Sequence, residues 1–107
     1  DAYYKQALKI RKIITKNLIN YFSKIDVLML PTTPTLPFNK GEKTNNPIEM
    51  YLSDIFTIPI SLAGIPSISV PVGYLDKLPI GLQLCSSYFK EDNIFALSQF
   101  LEDKFIN

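Results

Sequence analysis

The sequence contains no histidine in 107 residues. That excludes Ser-His-Asp and Cys-His catalysis, and with them every His-ligated zinc, haem or non-haem iron centre. A single cysteine, Cys85, permits no internal disulfide and no thiolate metal cluster. It fits a reducing compartment, and Cys85 is expected to pack as a small hydrophobe. No stretch reaches the ~18 uninterrupted apolar residues of a membrane span. The opening DAYYKQALKIRK lacks a continuous apolar stretch and begins on an acid, so it reads as neither a signal nor a transit peptide. An initiator Met is missing too, and the chain is expected to begin inside a longer gene product. Charge of one sign is also lacking: 11 Lys and Arg against 10 Asp and Glu leave +1. No global attraction for nucleic acid or anionic lipid follows from that balance.

What is present suffices for one small domain or one piece of a larger one. Hydrophobic residues make up 47% of the chain, and folding at this length hides roughly two thirds of the unfolded surface. Disorder is not expected. Tyr3, Ala7, Ile10, Ile14, Leu18, Tyr21, Phe22 and Ile25 recur at steps of three and four, which predicts an amphipathic helix over residues 2–24. Lys5, Lys9, Lys12 and Lys16, with Arg11, fall on its other faces. They form either a solvated face or a contact for an anionic partner.

After Asp26 the short run VLML, apolar on both sides, predicts a buried strand at residues 26–30. Residues 31–47, PTTPTLPFNKGEKTNNP, forbid regular structure and form a long loop, of the kind that is functional or contacts something else. A short helix follows at residues 48–56, with Pro47 near N1 and Glu49 in the first turn. Pro59, Gly64 and Pro66 punctuate the chain beyond it. Strands are predicted at 67–72 and 80–86, joined by a hairpin-like connection holding Asp76 and Lys77. Pro71 implies an edge position or a bulge. A final helix at 92–105 is capped by Asn93 or Asp92. The fold class is α/β: about three strands in one mixed sheet, two long helices and one short one.

No G-x-S-x-G elbow, Walker A loop, G-x-G-x-x-G or metal-spaced cluster occurs, so the chain carries no self-sufficient catalytic motif. Among the acids Asp54 stands out, set between Leu52 and Ile55-Phe56. A carboxylate there is expected to be at least partly buried, and it either ends a turn or binds a ligand. Asp76 and Asp103 read as surface acids. Thr32, Thr33 and Thr35 either present hydroxyls to a ligand or shape a strand exit.

Four stretches together resemble the amidase signature family: DAYYKQALKIRKII, DVLMLPTTPTLPF, the GEK followed by NPIEMYLSDIFTIPISLAGIPSISVPVG, and LPIGLQL. PTTP and AGIPSISVP with LPIGLQL are shared across that superfamily. GEK with NP and MYLSD is narrower and resembles the glutaminase subunits of glutamyl-tRNA(Gln) amidotransferases. The resemblance runs from Asp1 to about Glu102 and implies that residues 1–107 are the C-terminal part of one incomplete domain.

In that family a Ser nucleophile is activated by a second Ser and a Lys, all upstream of the matched region. The resemblance therefore implies no catalytic residue here: Ser61, Ser67 and Ser69 take no catalytic role, no metal ligand is expected, and the isolated chain is expected to be inactive. What carries over is Asp54, which matches the acid that holds the α-ammonium of glutamine. The Arg for the α-carboxylate would lie just before residue 1. The implied activity of the whole subunit is hydrolysis of glutamine, supplying ammonia for conversion of Glu-tRNA(Gln) to Gln-tRNA(Gln). ATP and Mg2+ would be used by a partner subunit, which would also make most of the tRNA contact, and this chain would bind no cofactor and no membrane. Two other readings stay open: another amidase signature hydrolase acting on a small amide, and a non-catalytic interaction module. Ten Lys to one Arg resembles the bias of an AT-rich genome. The implied location is the cytoplasm in a bacterium, or a mitochondrion or plastid in a eukaryote.

Overall fold

The computed structural model describes every residue of the chain except Thr44, so that position of the loop expected at 31–47 lies outside the described residues. The elements in order are α1 (Ala2–Tyr21), β1 (Leu28–Pro31), α2 (Pro47–Ser53), α3 (Ile58–Ala63), β2 (Ser67–Leu75), β3 (Leu78–Cys85) and α4 (Glu91–Phe105). Each expected element exists, and one more, α3, joins them. The strands form one sheet in the order β1-β3-β2. Both pairings are antiparallel, which corrects the expected mixed sheet. The hairpin fixes β2 against β3, and β1 returns along the other edge of β3 in the opposite sense.

Strand β3 is the centre of the molecule because its side chains alternate between two cores. Leu84 joins Val70 and Ile94, with Ile68, Leu82, Leu97 and Leu101 around them, under α4. Its neighbour Cys85 points the other way, to Ile60, Ala63 and Ile65, where Ile14 and Leu18 of α1, its C-cap Phe22, and Leu28 and Leu30 of β1 close in. Helices α1 and α3 thus cover one face of the sheet and α4 the other. Burial pushes the Cys85 thiol up from 9.0 to about 11, and it packs as the small hydrophobe expected.

Only part of the predicted α1 stripe is used. Ile14, Leu18 and Phe22 pack, while Tyr3 is 91% and Ile10 55% exposed. A helix of 20 residues spans ~30 Å, and the apolar α1 residues packed on the core come from its second half. Strand β1 is likewise half used. Leu28 and Leu30 face the core and Met29 is 55% exposed, so the expectation of a strand buried on both sides is corrected. It is an edge strand with a helix layer over one face.

Pro71 satisfies both readings made for it: β2 is an edge strand, and its register shifts between Pro71 and Gly73. Leu75 pairs with Leu78, leaving Asp76 and Lys77 as a two-residue turn with φ of 51° and 66°. That left-handed pair is the twist-compatible hairpin turn, made here without glycine. At α4 the N-cap is Lys90, with no side-chain cap, in place of the expected Asn93 or Asp92. Glu91 and Asp92 instead occupy its first turn, where the positive end of the helix dipole favours carboxylates.

Candidate functional site

Helix α2 starts where its sequence says it should. The Asn46 side chain accepts hydrogen bonds from the backbone N–H groups of Ile48 (3.1 Å) and Glu49 (3.3 Å), and Pro47 occupies the first turn. The helix ends at Asp54, its C-cap, with φ −104° and ψ 12°. The Asp54 N–H donates to the Tyr51 carbonyl at 3.1 Å. Its own carbonyl accepts from the N–H groups of Thr57 and Ile58 at 3.1 and 3.0 Å, so its backbone starts the turn into α3.

The Asp54 side chain is exposed, which corrects the expectation of partial burial. Seven residues of α2 run along the surface without a buried position, so the chain itself does not enclose the carboxylate. Its oxygens enter no hydrogen bond or ion pair among the described residues. A carboxylate at a helix C-terminus also faces the negative end of the helix dipole. The side chain therefore ends the helix through its backbone alone and keeps its full acceptor capacity for a cationic group.

The turn carrying Asp54 is tied to the sheet. Gln83, buried in β3 between Leu82 and Leu84, sends Nε2 to the Phe56 carbonyl at 3.0 Å. Nearby, Thr32 and Ser69 hold their hydroxyl oxygens 2.6 Å apart across β3. A Cβ on Gly81 would meet Thr32 Oγ1 at 3.0 Å and Ser69 Oγ at 3.2 Å, so this crossing needs glycine. Thr32 is thereby a structural fastener.

Thr33 and Thr35 behave differently. With Leu36 and Pro79 they line two adjoining clefts of about 200 and 150 Å³, the smaller one reaching Ser53, the residue before Asp54. Asp54 itself lines neither cleft. Lys43 Nζ lies 3.4 Å from both Thr35 Oγ1 and Ser53 Oγ, and 4.4 Å from the Phe38 ring centroid. Neither Lys43 nor Gln83 was singled out from sequence. The signal for Gln83 was an amide inside the apolar strand GLQLC, and for Lys43 one of two cations, with Lys40, in a loop of prolines, threonines and asparagines.

The lysine-rich face of α1 is partly solvated and partly groove. Lys9, Lys12 and Lys16 line an open apolar groove of about 740 Å³ with Leu8, Ile19 and Leu62. Arg11 Nε donates to the Leu62 carbonyl at 2.7 Å, and Tyr88 Oη donates to the Ala63 carbonyl at 2.9 Å. Together they satisfy carbonyls at the C-terminal end of α3. Among the described residues no group of three His, Cys, Asp or Glu gathers as a metal site, and no helix is long and apolar enough to cross a membrane.

The amidase family model matches residues 1–95. The chain belongs to the amidase family. Among its amidase relatives, a glutamyl-tRNA(Gln) amidotransferase subunit of Clostridium acetobutylicum is 52% identical over 98 residues, 92% of this chain and 20% of that one. The corresponding subunit of Clostridium botulinum strain Hall is 53% identical over the same share of each chain. The crystal structure of the same kind of subunit from Thermotoga maritima superposes with a TM-score of 0.91 at 38% identity, over 98% of this chain and 23% of that one. A structure described as an amidase superposes at 0.82 with 23% identity, which speaks to the fold alone. The chain thus spans about a fifth of the length of the curated relatives it matches.

Proposed function

We propose that this chain is the C-terminal, glutamine-recognising part of the glutaminase subunit of a glutamyl-tRNA(Gln) amidotransferase. The observation that carries the reading is the identity of 52% over 98 residues to a subunit of such an enzyme, joined to an uncommitted carboxylate at Asp54 in the MYLSD segment. Free glutamine differs from a plain amide in its α-ammonium and α-carboxylate. A fixed anion selects for the first of these through a charge-assisted hydrogen bond. Asp54 supplies it from the C-terminal end of α2, and the loop carrying Thr33 and Thr35 forms the neighbouring wall.

In this reading the Ser nucleophile, its partner Ser and the activating Lys come from polypeptide outside the matched segment. Residues 1–107 alone release no ammonia. The whole subunit hydrolyses glutamine to glutamate and ammonia, and the ammonia is used on an activated Glu-tRNA(Gln) by a partner subunit. ATP and Mg2+ serve that partner, which also makes most of the contact with tRNA. The subunit works in the cytoplasm of a bacterium, or in an organelle of a eukaryote.

The competing reading, a hydrolase of small amides, makes a different demand on Asp54, since a neutral amide offers no ammonium. The test is substrate discrimination by the assembled enzyme. Glutamine is expected to be hydrolysed at least about 100-fold more efficiently than propionamide, because a site built to pair a charged group leaves that group unpaired with the analogue. Equal kcat/KM for the two would overturn the assignment.

A further inference from the structure

The described residues of 32–46 contain no helix or strand, and past Thr32, whose N–H donates to the Gly81 carbonyl at 3.1 Å, the loop leaves the ladder of the sheet. Side chains hold it from there. Asn39 and Glu42 close a turn, with the Asn39 N–H donating to Glu42 Oε2 at 2.8 Å and the Glu42 N–H to the Asn39 carbonyl at 3.0 Å. Thr33 Oγ1 donates to the Thr35 carbonyl at 2.8 Å, fixing the start of the loop. These fasteners are local. Lys43 is different in reach, since its ammonium donates back to Thr35, eight residues earlier, and forward to Ser53, ten residues later, each at 3.4 Å. The ring of Phe38 lies 4.4 Å from the same nitrogen, a cation–π distance.

The Ser53 hydroxyl is itself committed, donating to the Glu49 carbonyl one turn back at 3.0 Å. Its oxygen also accepts from Lys43, so the ammonium grips an atom already locked to the helix. The next residue is Asp54. The smaller cleft is lined by Thr35, Phe38 and Ser53 among others, the three residues that Lys43 touches.

We propose that Lys43 is a positioning residue for glutamine recognition: by joining Thr35, Phe38 and Ser53 it holds the proline-rich loop against the end of α2 and sets where Asp54 and the cleft wall stand relative to each other. This rests on the glutamine reading given above for Asp54. Lys43 touches neither reacting atoms nor, in this assignment, the substrate. Its effect passes through the placement of others, which predicts a change in KM for glutamine and little change in kcat at saturation. A purely structural fastener would lower thermal stability and both activities together.

The experiment uses the assembled amidotransferase with Lys43→Met, Lys43→Arg, Ser53→Ala and Asp54→Asn introduced separately, and with Lys43→Met and Ser53→Ala combined. Lys43→Met keeps the apolar stem over Phe38 and removes the donor. It is expected to raise KM for glutamine roughly tenfold, with kcat and ammonia-dependent amidation within about twofold of the parent. Lys43→Arg, which retains the cation and the reach, is expected to restore most of the loss. Ser53→Ala should give a smaller rise that does not add to that of Lys43→Met in the double variant, because the two share one contact. An unchanged KM in Lys43→Met, alongside a weakened Asp54→Asn, would overturn the positioning role and leave the glutamine reading standing. Lower thermal stability with parallel loss of glutamine- and ammonia-dependent activity would overturn it as well. If Asp54→Asn itself leaves glutamine use unchanged, the glutamine reading fails first.

Discussion

The Asp54 carboxylate stands exposed at the C-cap of α2, an acid in conflict with its neighbours Leu52 and Ile55-Phe56. Its exposure was not legible, since burial depends on what lies across from α2 and no local pattern encodes that. Cys85 was read correctly from scarcity alone. A lone thiol within the apolar run GLQLC packs as a small apolar group, and the structure places it wholly inside. The thiol pKa of about 11 lies above the 9.0 of an exposed thiol, so the folded state holds the proton more tightly than the unfolded state. Stability is then fully present below pH 9 and is lost as pH rises towards 11, by about 2 to 3 kcal/mol in all. Denaturant unfolding at pH 8 and pH 10.5 checks this: the parent should lose stability between them, and Cys85→Ala should lose less.

Among the elements, those with a clear period or clear punctuation were read well and the one bounded by breakers was missed. The helix α3 lies between Pro59 and Gly64, residues that read as interruptions. In fact Pro59 sits in its first turn and Gly64 ends it in the left-handed region at φ 69°, so the breakers are its two boundaries. Arg11 and Tyr88, distant in sequence, then cap its final carbonyls. Nothing local announces them. Gly64→Ala places a Cβ where φ is positive, although the surroundings leave room for it. A loss of about 1 kcal/mol is expected from backbone strain alone, read as a lower unfolding midpoint with unchanged m-value. The sheet shows the complementary limit. Strand existence follows from short apolar runs, but direction follows from connectivity, and a long excursion between β1 and β2 left the parallel and antiparallel arrangements equally open.

At the scale of the whole molecule, residues far apart in sequence meet along β3. Gly81 accommodates the Thr32–Ser69 pair, Gln83 holds the turn after Asp54, and Cys85 anchors α1 and α3. The proposed site is therefore positioned by the central strand, although its charge stands at the C-cap of α2. The measurement that bears most directly on the account compares nitrogen donors in the assembled amidotransferase carrying Asp54→Asn. The amide keeps the shape and removes the charge that, in the proposed function, pairs with the α-ammonium, so glutamine-dependent kcat/KM should fall by about 2 to 4 kcal/mol, roughly 30- to 1000-fold. Amidation driven by external ammonia should stay near the parental rate, because ammonia bypasses the glutamine pocket. Parallel loss of both activities, or full retention of glutamine use, would contradict the assignment of Asp54 to substrate recognition.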